Sequence, residues 1–443
     1  MNHGPTRASR ISLRLRISVA LFALALGAGF FWINYLPQPS RIIWLQRIHA
    51  HPIYSAQPIR YLDLKILLSG IECDRAGMNV WVTCPCGAES LGFTNVPFNY
   101  PEAALWLGRL APVPLSVTDG DWLGPFLIVA FLLTVSFLFH GTAFWHAVYF
   151  CALIASPPVL LGIERANYDL AMFCLIFLNI SLLDRLSNTA GYAAAFGLGM
   201  LKIFPIATVV ALIKETKTSR ITFWLTLAAE ATFIFLSFNN LRLVASVTPQ
   251  KWWQSFGYPM VGLLTQQALS NTPWSANSNI NTLAWTTNIG LLTLAAAVVI
   301  LGYFTPRARQ YWLGILSGGD MRYRPLFIAG AAIYSFCFII GTNFNYRLIF
   351  LLFTIPYLFS IQRVDGLQRR AAYLILAMLF CVFWLSVFDW RISINLLRAG
   401  ITWLLFIVFA SVCLRASVDS LFEVRRGLHR PQQPAARPPA LPL

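Results

Sequence analysis

Apolar residues run along this chain in stretches that are long enough to cross a lipid bilayer, and short polar segments separate them. A hydrocarbon core about 30 Å thick needs about 20 helical residues, with some allowance for tilt. Ten windows come close to this length, near residues 17–36, 122–139, 143–161, 168–186, 221–238, 282–304, 325–341, 347–361, 371–388 and 397–415. The pattern predicts an all-α polytopic membrane protein with about ten full spans.

The composition agrees with this interpretation and excludes a soluble protein. Hydrophobic residues fill 57% of the 443 positions, charged residues only 11%, and the mean hydropathy is +0.63. The net charge of +16 does not point to nucleic acid, because the Lys and Arg residues gather in short loops on alternate sides of the spans. We therefore expect membrane lipids, and no nucleic acid, as partners.

The positions of these basic residues predict that both termini face the cytoplasm. Arginines precede the first span and no small-residue cleavage site follows it, so this span is expected to be an uncleaved anchor. Counting on from it places the later basic clusters on the same side: Lys214, Lys217, Arg220, Arg307, Arg309, Arg322, Arg324, Arg363, Arg369, Arg370, Arg425, Arg426 and Arg430. We expect a protein of the bacterial inner membrane.

This topology divides the chain into three parts. Residues 1–16 form a basic cytoplasmic N-terminus, and residues 17–425 form the transmembrane domain. Residues 426–443 are rich in Pro, Gln and Ala and are expected to be a disordered cytoplasmic tail.

Residues 189–213 need a different explanation. The later basic clusters all fall on the cytoplasmic side only if one apolar segment does not cross the membrane. Gly197, Gly199 and Pro205 interrupt this segment, and Lys202 lies in its middle. Broken backbone at membrane depth is tolerated where protein or a water-filled cavity covers it. We predict a broken hairpin that enters and leaves on the cytoplasmic side. The alternative is a single full span here, together with a miscounted span elsewhere in the chain.

Two long segments, about 37–121 and 239–281, are expected outside. The 57–70 stretch of the first has a helical apolar face, formed by Ile59, Leu62, Ile66 and Leu67, and would lie along the membrane interface as part of a structured loop. The second carries aromatic residues of the kind that rest at headgroup level: Trp252, Trp253, Tyr258 and Trp274.

The polar run from Glu164 to Asp169, with the sequence Glu-Arg-Ala-Asn-Tyr-Asp, lies between two apolar windows. Ionisable groups at a membrane boundary cost several kcal/mol unless they pair or line a pocket, so this run is a candidate active site. The alternative is a tight hydrated turn between two helices. Glu230 is the one clearly mid-span acid, and we expect a partnered structural residue there rather than a proton relay.

Three cysteines lie in the first outer segment, where an oxidising compartment could join two of them. We predict one disulfide, from Cys73 to Cys84 or Cys86. A metal site built from Cys84, Cys86, His49 and His51 is the alternative, but its spacing matches no strong zinc pattern. We predict neither a metal site nor another cofactor, although a need for a divalent ion stays open.

Several motifs, taken in order, resemble the GT-C fold membrane glycosyltransferases, and most closely glycosyltransferase family 87, which includes polyprenol-phosphate-mannose-dependent mannosyltransferases. They are an early Asp in an outer helix, Phe98-Asn99-Tyr100-Pro101, Glu164-Arg165-Ala166-Asn167-Tyr168-Asp169, Leu201-Lys202-Ile203-Phe204-Pro205 and Asn345-Tyr346-Arg347. The likeness covers roughly residues 15 to 360. The family often has Gly where this chain has Ala166.

The resemblance implies an inverting enzyme on the outer face. It would move a sugar, mannose or another hexose or pentose, from a polyprenyl phosphate to an envelope glycan or lipid acceptor. Asp63 would be the general base, with Asp74 as the alternative. Arg165, Lys202, Tyr346 and Arg347 would bind the donor phosphate, with Asn345 beside them. Tyr100, Glu164, Asn167 and Asp169 would line the sugar pocket.

A flippase or polymerase-type protein of envelope polysaccharide pathways is the competing interpretation, because such a protein would share the size, basicity and outer loops. Two features favour the transferase. No inverted repeat is visible between the halves of the chain, and the structured outer loop follows the first span.

Overall fold

The computed structural model describes residues 7–47, 59–82, 86, 98–182, 187–248, 255–270, 279–363, 366–388 and 391–422. The α-helices are Arg7–Tyr35, Gln38–Arg47, Leu62–Arg75, Ala103–Leu110, Gly120–Leu138, Phe144–Ile154, Pro157–Glu164, Asp169–Ser181, Asn188–Leu201, Lys217–Leu236, Phe238–Val247, Met260–Leu269, Asn279–Phe304, Pro306–Gly318, Arg324–Ile340, Ile355–Ile361, Leu367–Trp384 and Ile392–Phe422. These ranges also contain the 3-10 helices Val117–Asp119, Phe204–Leu212, Asn345–Thr354 and Leu385–Phe388. The expected all-α membrane architecture is confirmed.

The predicted spans are helical, but they differ in length. Among the described residues, six helices are long and apolar enough to cross a bilayer: Leu13–Tyr35, Val117–Leu138, Lys217–Leu236, Ile280–Phe304, Leu367–Phe388 and Ile392–Leu421. Phe144–Ile154 and Pro157–Glu164 form a seventh candidate, bent by 50°. Three windows hold shorter apolar helices, Asp169–Ser181, Arg324–Ile340 and Asn345–Ile361. The count of ten crossings therefore stays a prediction.

The bend in the seventh candidate has a local cause. Ser156 is extended, with ψ of 152°, and Pro157 and Pro158 start the second helix. Proline lacks the N–H that a continuous helix needs and pushes the preceding residue out of the helical region. The bend directs the second helix, and the polar run that follows it, toward the interior of the bundle.

Residues 188–214 turn back on themselves, as expected for the broken hairpin predicted over residues 189–213. Helix Asn188–Leu201 ends at Lys202, whose backbone is extended, and a 3-10 helix continues from Phe204. The Tyr192 hydroxyl lies 3.2 Å from Ser219 Oγ, and the Lys214 N–H donates to the same oxygen at 2.8 Å. Both arms therefore reach the same level of the bundle, and Lys202 marks the tip between them.

Two contacts join loops that the predicted topology places on the same side. Arg41, after the first span, lies 3.7 Å from Glu164 at the end of the bent pair. The opposite ends of neighbouring spans meet where Arg363 donates to Thr142 Oγ1 at 3.1 Å. Loops expected to share a side thus contact one another.

The first segment expected outside is folded, and its helix lies later than the predicted 57–70 stretch. The helix runs from Leu62 to Arg75, and most of its residues are buried. Phe98 packs so tightly on Gly70 that a β-carbon there would meet its ring at 2.2 Å. The later part of the same segment therefore covers this helix, and its position along the membrane interface stays a prediction.

A disulfide joins Cys73 to Cys86 with their Cα atoms 5.4 Å apart, which confirms one of the two predicted pairings. It closes the C-terminal end of helix Leu62–Arg75 against the following turn. Cys84, His49 and His51 lie outside the described residues. Since Cys86 is used in the disulfide, the alternative metal site loses one of its four side chains.

The second outer segment begins with helix Phe238–Val247 and ends with helix Met260–Leu269. Between them, Ser255–Phe256 pairs antiparallel with Asn343–Phe344, with Ser255 opposite Phe344. This two-stranded contact fixes the segment that precedes Arg347. Trp252, Trp253 and Trp274 lie outside the described residues, as do residues 423–443, which include the predicted tail.

Candidate active site

The polar run begins as the C-terminal cap of helix Pro157–Glu164. The Ala166 N–H donates to the carbonyl of Ile163, and the Asn167 N–H donates to that of Gly162, both at 3.0 Å. This pair of bonds is the Schellman motif, which places the first residue after the cap in the left-handed region. Ala166 has φ of 44°, so it occupies a conformation that favours glycine.

Asn167 then starts the next helix. Its side-chain oxygen accepts from the Asp169 N–H at 2.8 Å, and its carbonyl accepts from the Leu170 N–H at 2.8 Å. The turn therefore carries polar side chains between two apolar helices without leaving these backbone donors unpaired.

The polar side chains of the run are buried rather than hydrated. Glu164 and Asp169 are fully buried, Asn167 is 1% exposed and Arg165 is 7% exposed. The alternative of a solvated turn was therefore wrong, and each charge needs a partner inside the protein.

Asp63 supplies the first of these partners. Arg165 Nη1 lies 3.4 Å from Asp63 Oδ1, and Asn167 Nδ2 donates to Oδ2. The Tyr100 hydroxyl donates to the backbone carbonyl of Asp63 at 3.3 Å. Burial raises the pKa of Tyr100 well above its ordinary value, which keeps this donor protonated.

Asp63 lies in the first turn of helix Leu62–Arg75. Its negative charge is favoured there by the free N–H groups at the helix start. Tyr61, the residue before this helix, has φ of 55° and brings the chain into the helix through a sharp turn. Asp63 is only 8% exposed, so it does not lie on a solvated helix face.

Asp169 is the centre of the second group of charges. Lys202 Nζ, at the tip of the hairpin, bonds to its Oδ1, and Arg347 Nε lies 3.4 Å from its Oδ2. Arg347 also donates to Asn343 Oδ1. Three separate parts of the chain thus meet at one carboxylate.

Aromatic rings surround these cations. Lys202 Nζ lies 5.3 Å from the ring centre of Tyr100 and 5.7 Å from that of Tyr168. The Arg347 guanidinium lies 5.3 Å from the ring centre of Phe204. Cation–π attraction at these distances holds each charge without a second carboxylate.

A cavity of about 280 Å³ opens beside this group. Tyr100, Lys202, Tyr346 and Arg347 line its polar part. Its apolar wall includes Leu241, Val244, Ala245, Phe204 and Ile340. Tyr100 also donates to the backbone carbonyl of Asp63, so it joins the wall of the cavity to the first group of charges.

Glu164 and Asp74 lie apart from this cavity. Glu164, expected to line a sugar pocket, instead lies 3.7 Å from Arg41 Nη2. Asp74 accepts two bonds from Arg109, at 2.7 and 2.8 Å. It is eleven residues, or about 16 Å of helix, beyond Asp63. The alternative base is therefore far from the other site residues.

Three further residues contact predicted site residues but were not predicted themselves. Arg41 follows the first span, and its only sequence signal is its charge. Asn343 lies two positions before the Asn345 motif and could have been included with it. Arg398 lies 2.9 Å from the Asn345 side-chain amide, whose oxygen accepts from it when the amide is turned to satisfy its neighbours, and 3.3 Å from the carbonyl of Ser255. Asn345 therefore supports the backbone before Arg347 and is turned away from the cavity.

Glu230 differs from its expected role. It is 3% exposed, and in the described part of the chain its carboxyl oxygens have no hydrogen-bond partner. It packs on Gly199, where a β-carbon would lie 2.9 Å from both oxygens. The hairpin can approach this close because Gly199 has no side chain.

Over the described ranges, no three His, Cys, Asp or Glu side chains come together as metal ligands would. Compared with family models, with curated proteins and with solved structures, the chain has no match.

Proposed function

We propose that this protein is an inverting glycosyltransferase that uses a polyprenyl-phosphate sugar, as its resemblance to the GT-C enzymes implies. The acceptor would be an envelope glycan or lipid at the outer face of a bacterial inner membrane, with both termini in the cytoplasm. It is supported chiefly by one arrangement of side chains. Lys202 and Arg347 line one cavity, and Tyr100, in the wall of the same cavity, donates to the backbone carbonyl of the buried Asp63.

Asp63 is suited to the role of general base. In a direct displacement, an acceptor hydroxyl attacks the anomeric carbon on the face opposite the phosphate. The new bond forms as the bond from that carbon to the phosphate oxygen breaks, and the hydroxyl proton passes to a carboxylate. Arg165 and Asn167 hold the Asp63 carboxylate in one orientation, as a positioned base requires.

The charges of the site suit a leaving phosphate. Lys202 and Arg347, which line the cavity, share one carboxylate, Asp169, while Arg165 pairs with Asp63 and Arg41 faces Glu164. In the described part of the chain, Lys202, Arg347 and Asp169 therefore carry one more positive charge than negative. A polyprenyl-phosphate sugar is a phosphodiester with a single negative charge, so its binding would neutralise the site. A nucleotide diphosphate sugar would bring excess negative charge into a buried site.

The cavity also has the two kinds of wall that such a donor needs. Its cations would hold the phosphate, and Tyr100 and Tyr346 offer rings and hydroxyls to a sugar. Leu241, Val244 and Ala245 lie on helix Phe238–Val247, and they present an apolar wall to the first part of the lipid chain.

The test is transfer from a radiolabelled polyprenyl-phosphate sugar to a membrane extract by the purified protein in liposomes. We expect label to move from this donor and not from a nucleotide diphosphate sugar. Failure with every polyprenyl-phosphate sugar, together with movement of lipid-linked glycan across the liposome membrane, would overturn the proposal in favour of a flippase.

A further inference from the structure

A separate set of basic residues lies at the end of the bundle that is predicted to be cytoplasmic, away from the candidate active site. It consists of Arg16 on the first helix, Arg322 before helix Arg324–Ile340, and Arg363 after helix Ile355–Ile361. We call these three residues the arginine cluster. All three are exposed. They converge on His140 and Tyr323, whose ring centres lie 4.6 Å apart.

The Arg322 guanidinium lies 5.6 Å from the ring centre of Tyr323. The charges of Arg16 and Arg363 also act on Tyr323, and those of Arg16 and Arg322 act on His140. Of the described carboxylates, Asp320 is the one that binds Arg322, through contacts of 2.6 to 3.2 Å. Arg363 is also within reach of Asp320, and its side chain donates to Thr142.

Among the residues that the structure describes, the cluster has more positive charge than its acid can balance. Three guanidinium groups face one described carboxylate, and Asp320 is already engaged by Arg322. Burial lowers the pKa of His140, so this residue is mainly neutral at physiological pH and adds little to the charge. Within the described ranges, two positive charges therefore remain for an anion from outside the chain.

The surface next to the cluster indicates where that anion comes from. Ile17, one residue after Arg16, is 50% exposed, and Leu13, one turn earlier, is 59% exposed. Phe137 and Phe144, on either side of His140, are 71% and 75% exposed. A soluble anion would leave these apolar side chains exposed, whereas the acyl chains of a lipid would cover them.

We propose that the arginine cluster binds the phosphate of an anionic phospholipid, whose acyl chains lie against Ile17, Phe137 and Phe144. Arg16 and Arg363 provide the charge for the phosphate, and Arg322 is held in place by Asp320. This lipid site is separate from the cavity of the proposed transferase, so the proposal of lipid binding does not depend on that function.

The experiment is a lipid titration of the purified full chain in neutral detergent, followed by native mass spectrometry and thermal unfolding. Phosphatidylglycerol should bind at a defined stoichiometry and raise the melting temperature more than phosphatidylcholine does. Replacing Arg16 and Arg363 by Gln should weaken phosphatidylglycerol binding about fivefold for each arginine, from about 1 kcal/mol per basic residue. The single variant R16Q gives the same test if the double variant folds poorly.

The matched control removes the same charge from the same two regions. Arg14 and Arg370 are exposed and lie outside the cluster, and R14Q with R370Q should keep the phosphatidylglycerol preference. Equal loss in both pairs, or equal binding of the two lipids to the wild type, would overturn the proposal. Equal stabilisation by inorganic phosphate alone would also overturn it, because the anion would then not be a lipid.

Discussion

Asp63 and Arg165 are 102 positions apart in the chain, yet Arg165 Nη1 lies 3.4 Å from an Asp63 carboxylate oxygen inside the protein. This contact joins a helix of the first outer segment to the turn after the bent helix pair. A buried pair of this kind is costly unless both members have further partners. Asp63 has Asn167 as well, so the pair belongs to a larger network.

Replacing Arg165 or Arg347 by Lys should weaken the proposed donor binding and slow transfer together. Lys keeps the charge but loses the planar group that can bind a phosphate through two nitrogens. We expect a loss of about tenfold or more in kcat/KM. The matched control is Arg109→Lys, since Arg109 also binds a carboxylate through two nitrogens but is half exposed and far from the cavity. Equal activity in the three variants would contradict the assigned roles.

Ala166→Gly should be tolerated and should raise the melting temperature. An L-residue in the left-handed region costs roughly 1–2 kcal/mol, and Gly removes this cost while adding about 0.5–1 kcal/mol of unfolded-state entropy. Ala166→Val should lower the melting temperature, because Ala166 is fully buried and a β-branched side chain fits this backbone poorly. A lower melting temperature for the Gly variant would show that the turn is not strained.

The disulfide between Cys73 and Cys86 should stabilise the outer segment. It closes a loop with a sequence separation of 13, for which about 3 kcal/mol is expected. Cys73→Ala should therefore lower the melting temperature, and Cys84→Ser should not. Mass spectrometry of a non-reduced digest should find the Cys73–Cys86 peptide pair. A pair that contains Cys84 would contradict this structure.

Topology reporters should place the two sides of the membrane. A reporter at Ser90 should respond as external, and one placed after Arg426 should respond as cytoplasmic, because basic residues favour the cytoplasmic side. The same response from both reporters would overturn the predicted topology, and with it the assignment of the site to the outer face.

Much of the site could be predicted because its residues lie in short local patterns. Lys202 lies between helix-breaking glycines and a proline, so the sequence itself marks the hairpin tip. Glu164 to Asp169 is conspicuous between apolar windows. The buried position of Asp63 could not be predicted, since it depends on contacts from Phe98 and Arg165, which come from distant parts of the chain. Arg41 and Arg398 were missed because single charges at the ends of spans resemble ordinary boundary residues.

The central claim is that Asp63 accepts the proton of the acceptor hydroxyl. Asn at this position keeps the size of the side chain and one oxygen for Arg165, but it cannot take a proton. The measurement is the transfer rate of Asp63→Asn and Asp74→Asn in liposomes, with equal melting temperatures as the check on folding. We expect a loss of about a hundredfold or more for Asp63→Asn and near wild-type transfer for Asp74→Asn. Wild-type transfer by Asp63→Asn would contradict it, and an inactive Asp74→Asn in the same assay would move the base to Asp74.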